Sequence, residues 1–90
     1  MEHLPGAPPI EELFPATCHF RVIGENRHAL FMRLEQALAA LGFGDVLEVG
    51  QVSSGGRYRS FGASIHVDNR AQMRRIDGAL REVRGVRMVL

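Results

Sequence analysis

The residues able to do chemistry in this chain fall into a few polar clusters. GENRHALF, Gly24 to Phe31, sets a glycine, an asparagine, an arginine and a histidine in front of an apolar stripe at helical spacing. An anion is favoured at such a place, because the first N–H groups of a helix and the positive end of its dipole face it. Arg27 lies where such an anion would sit. The plainer reading of the same loop is a helix start with Asn26 as its N-cap. SSGGRYRS, Ser53 to Ser60, is the second cluster. A phosphate-binding P-loop needs G-x-x-x-x-G-K-[ST] between a strand and a helix. Here the glycines lead into a strand-like run and no lysine follows, so the stretch reads as a hairpin turn. Arg57, Tyr58 and Arg59 beside that turn remain as a contact surface.

The elements that position these clusters can be read from periodicity. Cys18, Phe20 and Val22 alternate with His19 and Arg21 as a half-buried strand does, up to Gly24. Leu30, Leu34, Leu38 and Leu41 mark a helix from about Arg27 to Leu41, and LGFG stops it. DVLEVGQV, Asp45 to Val52, is a second strand. Beyond the hairpin, Phe61, Ala63, Ile65 and Val67 alternate with Tyr58, Ser60, Ser64 and His66 in a third. Asn69 and Gln72 stand three apart as a capping box before a helix over 70–83, whose apolar face is Met73, Ile76, Ala79, Leu80 and Val83. Gly85 ends it, and VRMVL closes the chain as a strand. Strand, helix, strand, strand, helix, strand is the split βαβ order of a ferredoxin-like α+β sandwich. That fold lays two helices on one face of a four-stranded antiparallel sheet. Residues 1–13 hold three of the four prolines and no period, and read as a flexible tail ahead of a single domain over 14–90.

Parity then defines a third candidate surface, the sheet face away from the helices. It carries His19 and Arg21 on the first strand, Tyr58, Ser60, Ser64 and His66 on the third, and Arg87 on the fourth. Such a face suits a carboxylate or phosphate, or half of an isologous dimer interface, or it is an ordinary solvated surface. RNA-binding sheets of this architecture stack bases on several aromatics, and a single tyrosine here speaks against nucleic acid. Cys18 and His19 are neighbours on a strand and point to opposite faces, so they do not open a metal site with His28 and His66. An acylphosphatase-like enzyme of the same fold would use an arginine in the first loop and an asparagine on the next strand. Arg27 is present, but DVLEVGQV has no asparagine. No carboxylate pair or nucleophile–base set can be placed, and neither catalysis nor a cofactor is expected.

FP…FRVIG, SSGGRYRS and the ending Val86-Arg87-Met88-Val89-Leu90 together resemble the YbeD-like family of small bacterial proteins, over Leu13 to Leu90. Its most specific pieces are Ser53-Ser54 followed by Gly56, Tyr58 and Ser60. The resemblance implies a ferredoxin-like fold similar to ACT domains, which bind amino acids or other small effectors, and so a regulatory or adaptor role; because effectors of ACT-like domains dock at the corresponding loop, it makes Gly24, Asn26, Arg27 and His28 the candidate ligand-binding residues. It carries no catalytic residues, and the association of such genes with lipoate-attachment genes is not a mechanism.

Composition sets the outer limits. Ninety residues with 46 % apolar and 23 % charged side chains suit one globular domain with an open working surface rather than a deep active site. No apolar run approaches the roughly 20 residues of a membrane span, and MEHLPGAPPIEEL does not read as a signal peptide. With one cysteine and no such segments, the expected location is the cytoplasm. All eleven basic residues are arginine. Residues 1–15 carry a net −3, whereas residues 57–90 set eight arginines against Asp68, Asp77 and Glu82, a net +5. The expected partners are a small anionic metabolite, an acidic protein or a second copy of the chain.

Overall fold

A computed structural model describes residues 13–90; apart from Leu13, the stretch read as a tail lies outside the described residues. The elements follow the expected order: β1 (Ala16–Glu25), α1 (His28–Ala40), β2 (Leu47–Val52), β3 (Tyr58–Val67), α2 (Arg70–Arg81) and β4 (Val86–Val89). All neighbouring strands pair antiparallel in the order β2-β3-β1-β4. This is the ferredoxin-like α+β sandwich.

The alternation of β1 and β3 decides which face is buried. Phe20 and Val22 from β1, and Phe61, Ala63, Ile65 and Val67 from β3, join Leu30, Leu34 and Leu38 of α1 and Ile76 and Leu80 of α2 in one core. Burying an aliphatic side chain is worth roughly 1.5–3 kcal/mol, so these rows fix the register of sheet and helices together. Cys18 packs against this core from the same side of β1, as its parity requires.

At the start of α2 the expected capping box forms in a shifted version. Asn69 Oδ1 accepts from the Gln72 N–H at 2.8 Å, while Gln72 Oε1 accepts from the Asp68 N–H at 2.7 Å. The helix ends at Arg81 rather than Val83, and Val83 still packs against the core.

Three expectations are corrected. The first helix starts at His28, with Arg27 and not Asn26 at its N-cap position, and it ends at Ala40. The second strand begins at Leu47 rather than Asp45, because Asp45 sits at a φ of 61° and belongs to the turn. Gly24 does not end the first strand, which runs on to Glu25. A Cβ at Gly24 would collide with the Leu30 side chain and lie 2.9 Å from the Gly85 carbonyl oxygen. Glycine is needed there for close approach, since α1 and the turn before β4 both press on that point.

β4 breaks strict alternation at the same level. Ile23 pairs with Met88 and Gly24 with Val86, which leaves Arg87 as the extra residue of a bulge. The bulge lets Val89 enter the core opposite Val22 while Arg87 lies on the open face.

Candidate functional site

β1 and β3 are both ten residues long and pair along their whole length, so Glu25 lies opposite Tyr58. The loop after β1 and the hairpin before β3 must therefore meet at the same end of the sheet. The hairpin is a turn, as its residues suggest. Ser53 N–H donates to the Tyr58 carbonyl at 2.8 Å, Ser53 Oγ accepts from Tyr58 N–H at 3.1 Å, and Gly56 takes a φ of 76°. It is also a latch. Asn26 N–H donates to the Arg57 carbonyl at 2.9 Å, and Asn26 Nδ2 donates to the Gly56 carbonyl at 2.9 Å.

This accounts for the lost N-cap. Asn26 spends its side chain on the hairpin, and the cap position falls to Arg27, whose guanidinium donates but cannot accept. The helix then begins without a side-chain cap and without an acidic residue in its first turn.

Between loop, hairpin and β4 lies a cleft of about 600 Å³, lined by Glu25, Asn26, Arg27, Gly55, Gly56, Arg57, Tyr58 and Arg87. Among the described residues, its three guanidinium groups come from three separate elements, against the single carboxylate of Glu25. The Glu25–Arg27 pair is loose, at 4.0 Å with both side chains largely exposed. Arg87 donates to the Tyr58 hydroxyl at 3.1 Å, and its guanidinium carbon lies 5.4 Å from the ring centroid. That hydrogen bond, with Arg57 acting in the same direction, holds the Tyr58 phenol below the ordinary tyrosine pKa. Planar guanidinium forks around a phenol and two glycines can grip a phosphate or carboxylate bidentately.

The two candidate sets are thus regrouped. From the loop set, Asn26 and Arg27 line the cleft. Gly24 does not, being buried beneath Leu30. His28 faces an adjoining hollow and stacks on Phe31, with centroids 6.0 Å apart. From the open-face set, Tyr58 and Arg87 turn into the cleft, while Arg21 and Ser60 stay on the middle of the sheet. His19, Ser64 and His66 lie toward the far end. There His19 Nδ1 shares a 2.7 Å hydrogen bond with Ser64 Oγ, and His66 lies 3.6 Å from Asp68. Among the described residues, no three His, Cys, Asp or Glu side chains are grouped as metal ligands.

Reading the sequence joined neither set to the other, and it kept Arg57 outside both. The signal was present in strand length: two equal strands in full register put Glu25 and Tyr58 side by side.

Comparison with known proteins places this architecture. A family model described as "Protein of unknown function (DUF493)" matches residues 11–90. The chain belongs to that family. The match agrees with the resemblance to YbeD-like proteins carried by the serine–glycine hairpin and the terminal strand. The solution structure of protein HP0495 from H. pylori superposes with a TM-score of 0.77 at 22 % identity, covering 100 % of this chain and 98 % of that one. At that identity the likeness speaks for the fold. No curated protein matches the chain. Among the described residues no helix is long and apolar enough to cross a membrane.

Proposed function

We propose that this DUF493 protein is a regulatory or adaptor module that works by binding, and that its ligand is a small anionic metabolite held in the cleft of Arg27, Arg57, Tyr58 and Arg87. One observation carries the reading: among the described residues, three arginines from distant parts of the chain share one concavity with a single carboxylate. An anion relieves that crowding and gains charge-assisted hydrogen bonds from planar donors. The proposal agrees with the effector-binding habit of the ACT domains that the family resembles.

Thermal melting against a panel of amino acids, nucleotides, lipoate and phosphorylated metabolites tests it. A ligand at a hundredfold excess over its Kd stabilises by roughly 2.7 kcal/mol, a shift of several degrees in a domain this small. The shift should fall to about half or less in Arg87→Ala. A panel in which no anion moves the melting temperature overturns the proposal.

A second reading is favoured by α2, which exposes Arg74 and Arg75 toward solvent. On this reading the chain is a protein-interaction domain for an acidic partner, without a small ligand. A flat panel combined with salt-sensitive capture of an acidic protein, lost in an Arg74/Arg75 double alanine variant, would decide for it.

A further inference from the structure

The arginine cleft has a neighbour. A second hollow, of about 350 Å³, lies on the helix side of the hairpin and shares Asn26 and Arg27 with the first. Its remaining walls are His28, Arg59, whose Nε donates to the Gly50 carbonyl at 3.1 Å, and three apolar side chains. Phe31 of α1 is half-buried, Val49 of β2 is 49 % exposed, and Phe61 of β3 forms the floor. Val49 pairs directly with Phe61 in the sheet, and α1 leaves it uncovered. His28 stacks on Phe31 with an interplanar angle of 15°, offering a flat aromatic ledge beside the apolar floor.

We infer that the ligand is amphipathic: a carboxylate or phosphate head in the arginine cleft, carried on a compact apolar or aromatic body that lies over Phe31 and Val49. The inference rests on the anion-binding reading and adds the chemistry of the rest of the molecule. Two features of the hollows support one occupant spanning both. They are continuous through Asn26 and Arg27. They are also complementary, because the positive cleft selects the charged end and leaves the apolar wall for the other. A free inorganic anion would leave Val49 in water, whereas a ring attached to the same anion removes apolar surface on both sides from solvent.

Isothermal titration calorimetry on the full chain tests this with two pairs of probes: inorganic phosphate against phenyl phosphate, and acetate against phenylpropionate. The pair with the better head identifies phosphate or carboxylate as the group recognised. In that pair the aryl member should bind about tenfold tighter than the bare head. Val49→Gln, at an exposed position, should cut that preference by roughly threefold and leave the affinity for the bare head unchanged. His28→Ala, at an exposed position in the first turn of α1, provides an independent variant with the same expectation. If bare and aryl anions bind equally, the hollow is idle and the inference fails while the anion cleft stands. If the aryl preference is unchanged in both variants, the body lies elsewhere and the inference also fails. If none of the four probes binds, the anion cleft itself falls with it.

Discussion

The two ends of the open sheet face carry similar residue types and treat them differently. At the far end both histidines have a polar neighbour: His19 has Ser64, and His66 has Asp68. These groups are exposed, and such pairs contribute little beyond solvation. At the loop end, Arg27, Arg57 and Arg87 gather in one cleft with, among the described residues, only Glu25 to answer them. Like charges brought together weaken a fold, so the crowding points to use rather than to stability. Both ends rest on the same strands, β1 and β3. What separates them is the loop and hairpin added at one end only.

The largest effect should come from the frame that both ends share. Leu34 is completely buried, and Leu34→Ala should cost about 2–5 kcal/mol through the cavity it leaves. Chemical denaturation measures this, and a loss below 1 kcal/mol would mean that α1 does not seat the core as described. The contrast between the ends is tested next. Arg87→Ala should weaken anion binding by about tenfold or more, equivalent to roughly 1.4 kcal/mol, while changing stability by less than about 1 kcal/mol. His66→Ala and His19→Ala should leave both quantities alone. Equal losses at the two ends would erase the distinction.

What the sequence made legible follows from where a pattern repeats. The faces of β1 and β3, the leucine stripe of α1 and the box at Asn69 and Gln72 each rest on several residues agreeing with one another. Single residues were misread where two segments compete for them. Asn26 is a good N-cap in isolation, but the hairpin offers two carbonyls in the right place and takes it. DVLEVGQV reads as strand from Asp45, yet the positive φ of Asp45 makes that residue a turn. Arg87 was placed on the open face by alternation and lies there through a bulge, so alternation alone does not account for it. The cleft was legible in its parts and not as a whole, since joining them requires the register of two strands far apart in the chain.

The latch gives a smaller effect. Asn26→Ala removes the hydrogen bond to the Gly56 carbonyl, an exposed contact worth about 0.5–1.5 kcal/mol. Hydrogen exchange should show the tip of the hairpin opening faster while the β1–β3 ladder stays protected. Amide protection unchanged at Gly55, Gly56 and Arg57 would show that the hairpin holds its place without Asn26.

The smallest effect is a shift in one titration, and it reads the cleft directly. Tyr58 is the only tyrosine and there is no tryptophan, so the absorbance of its phenolate reports on the cleft without background. Arg87 and Arg57 favour the ionised phenol, so Tyr58 should lose its proton below the ordinary tyrosine value. Below the lowered folded value the group is protonated in folded and unfolded chains alike, and the contact adds no pH-linked stability there. As pH rises through the lowered folded value, the folded chain releases its proton before the unfolded one does. Stability relative to Tyr58→Phe should therefore grow with pH and reach its full difference only above the unfolded value of about 10. Arg87→Ala should move the titration back toward the ordinary value. A saturating anion in the wild-type cleft should move it the same way, because its charge offsets the guanidinium groups that favour the phenolate. A His66→Ala variant should titrate as the wild type does, since that histidine belongs to the other end of the sheet. If Arg87→Ala leaves the titration unchanged, Tyr58 and Arg87 do not share a site, and the difference between the two ends loses its physical basis.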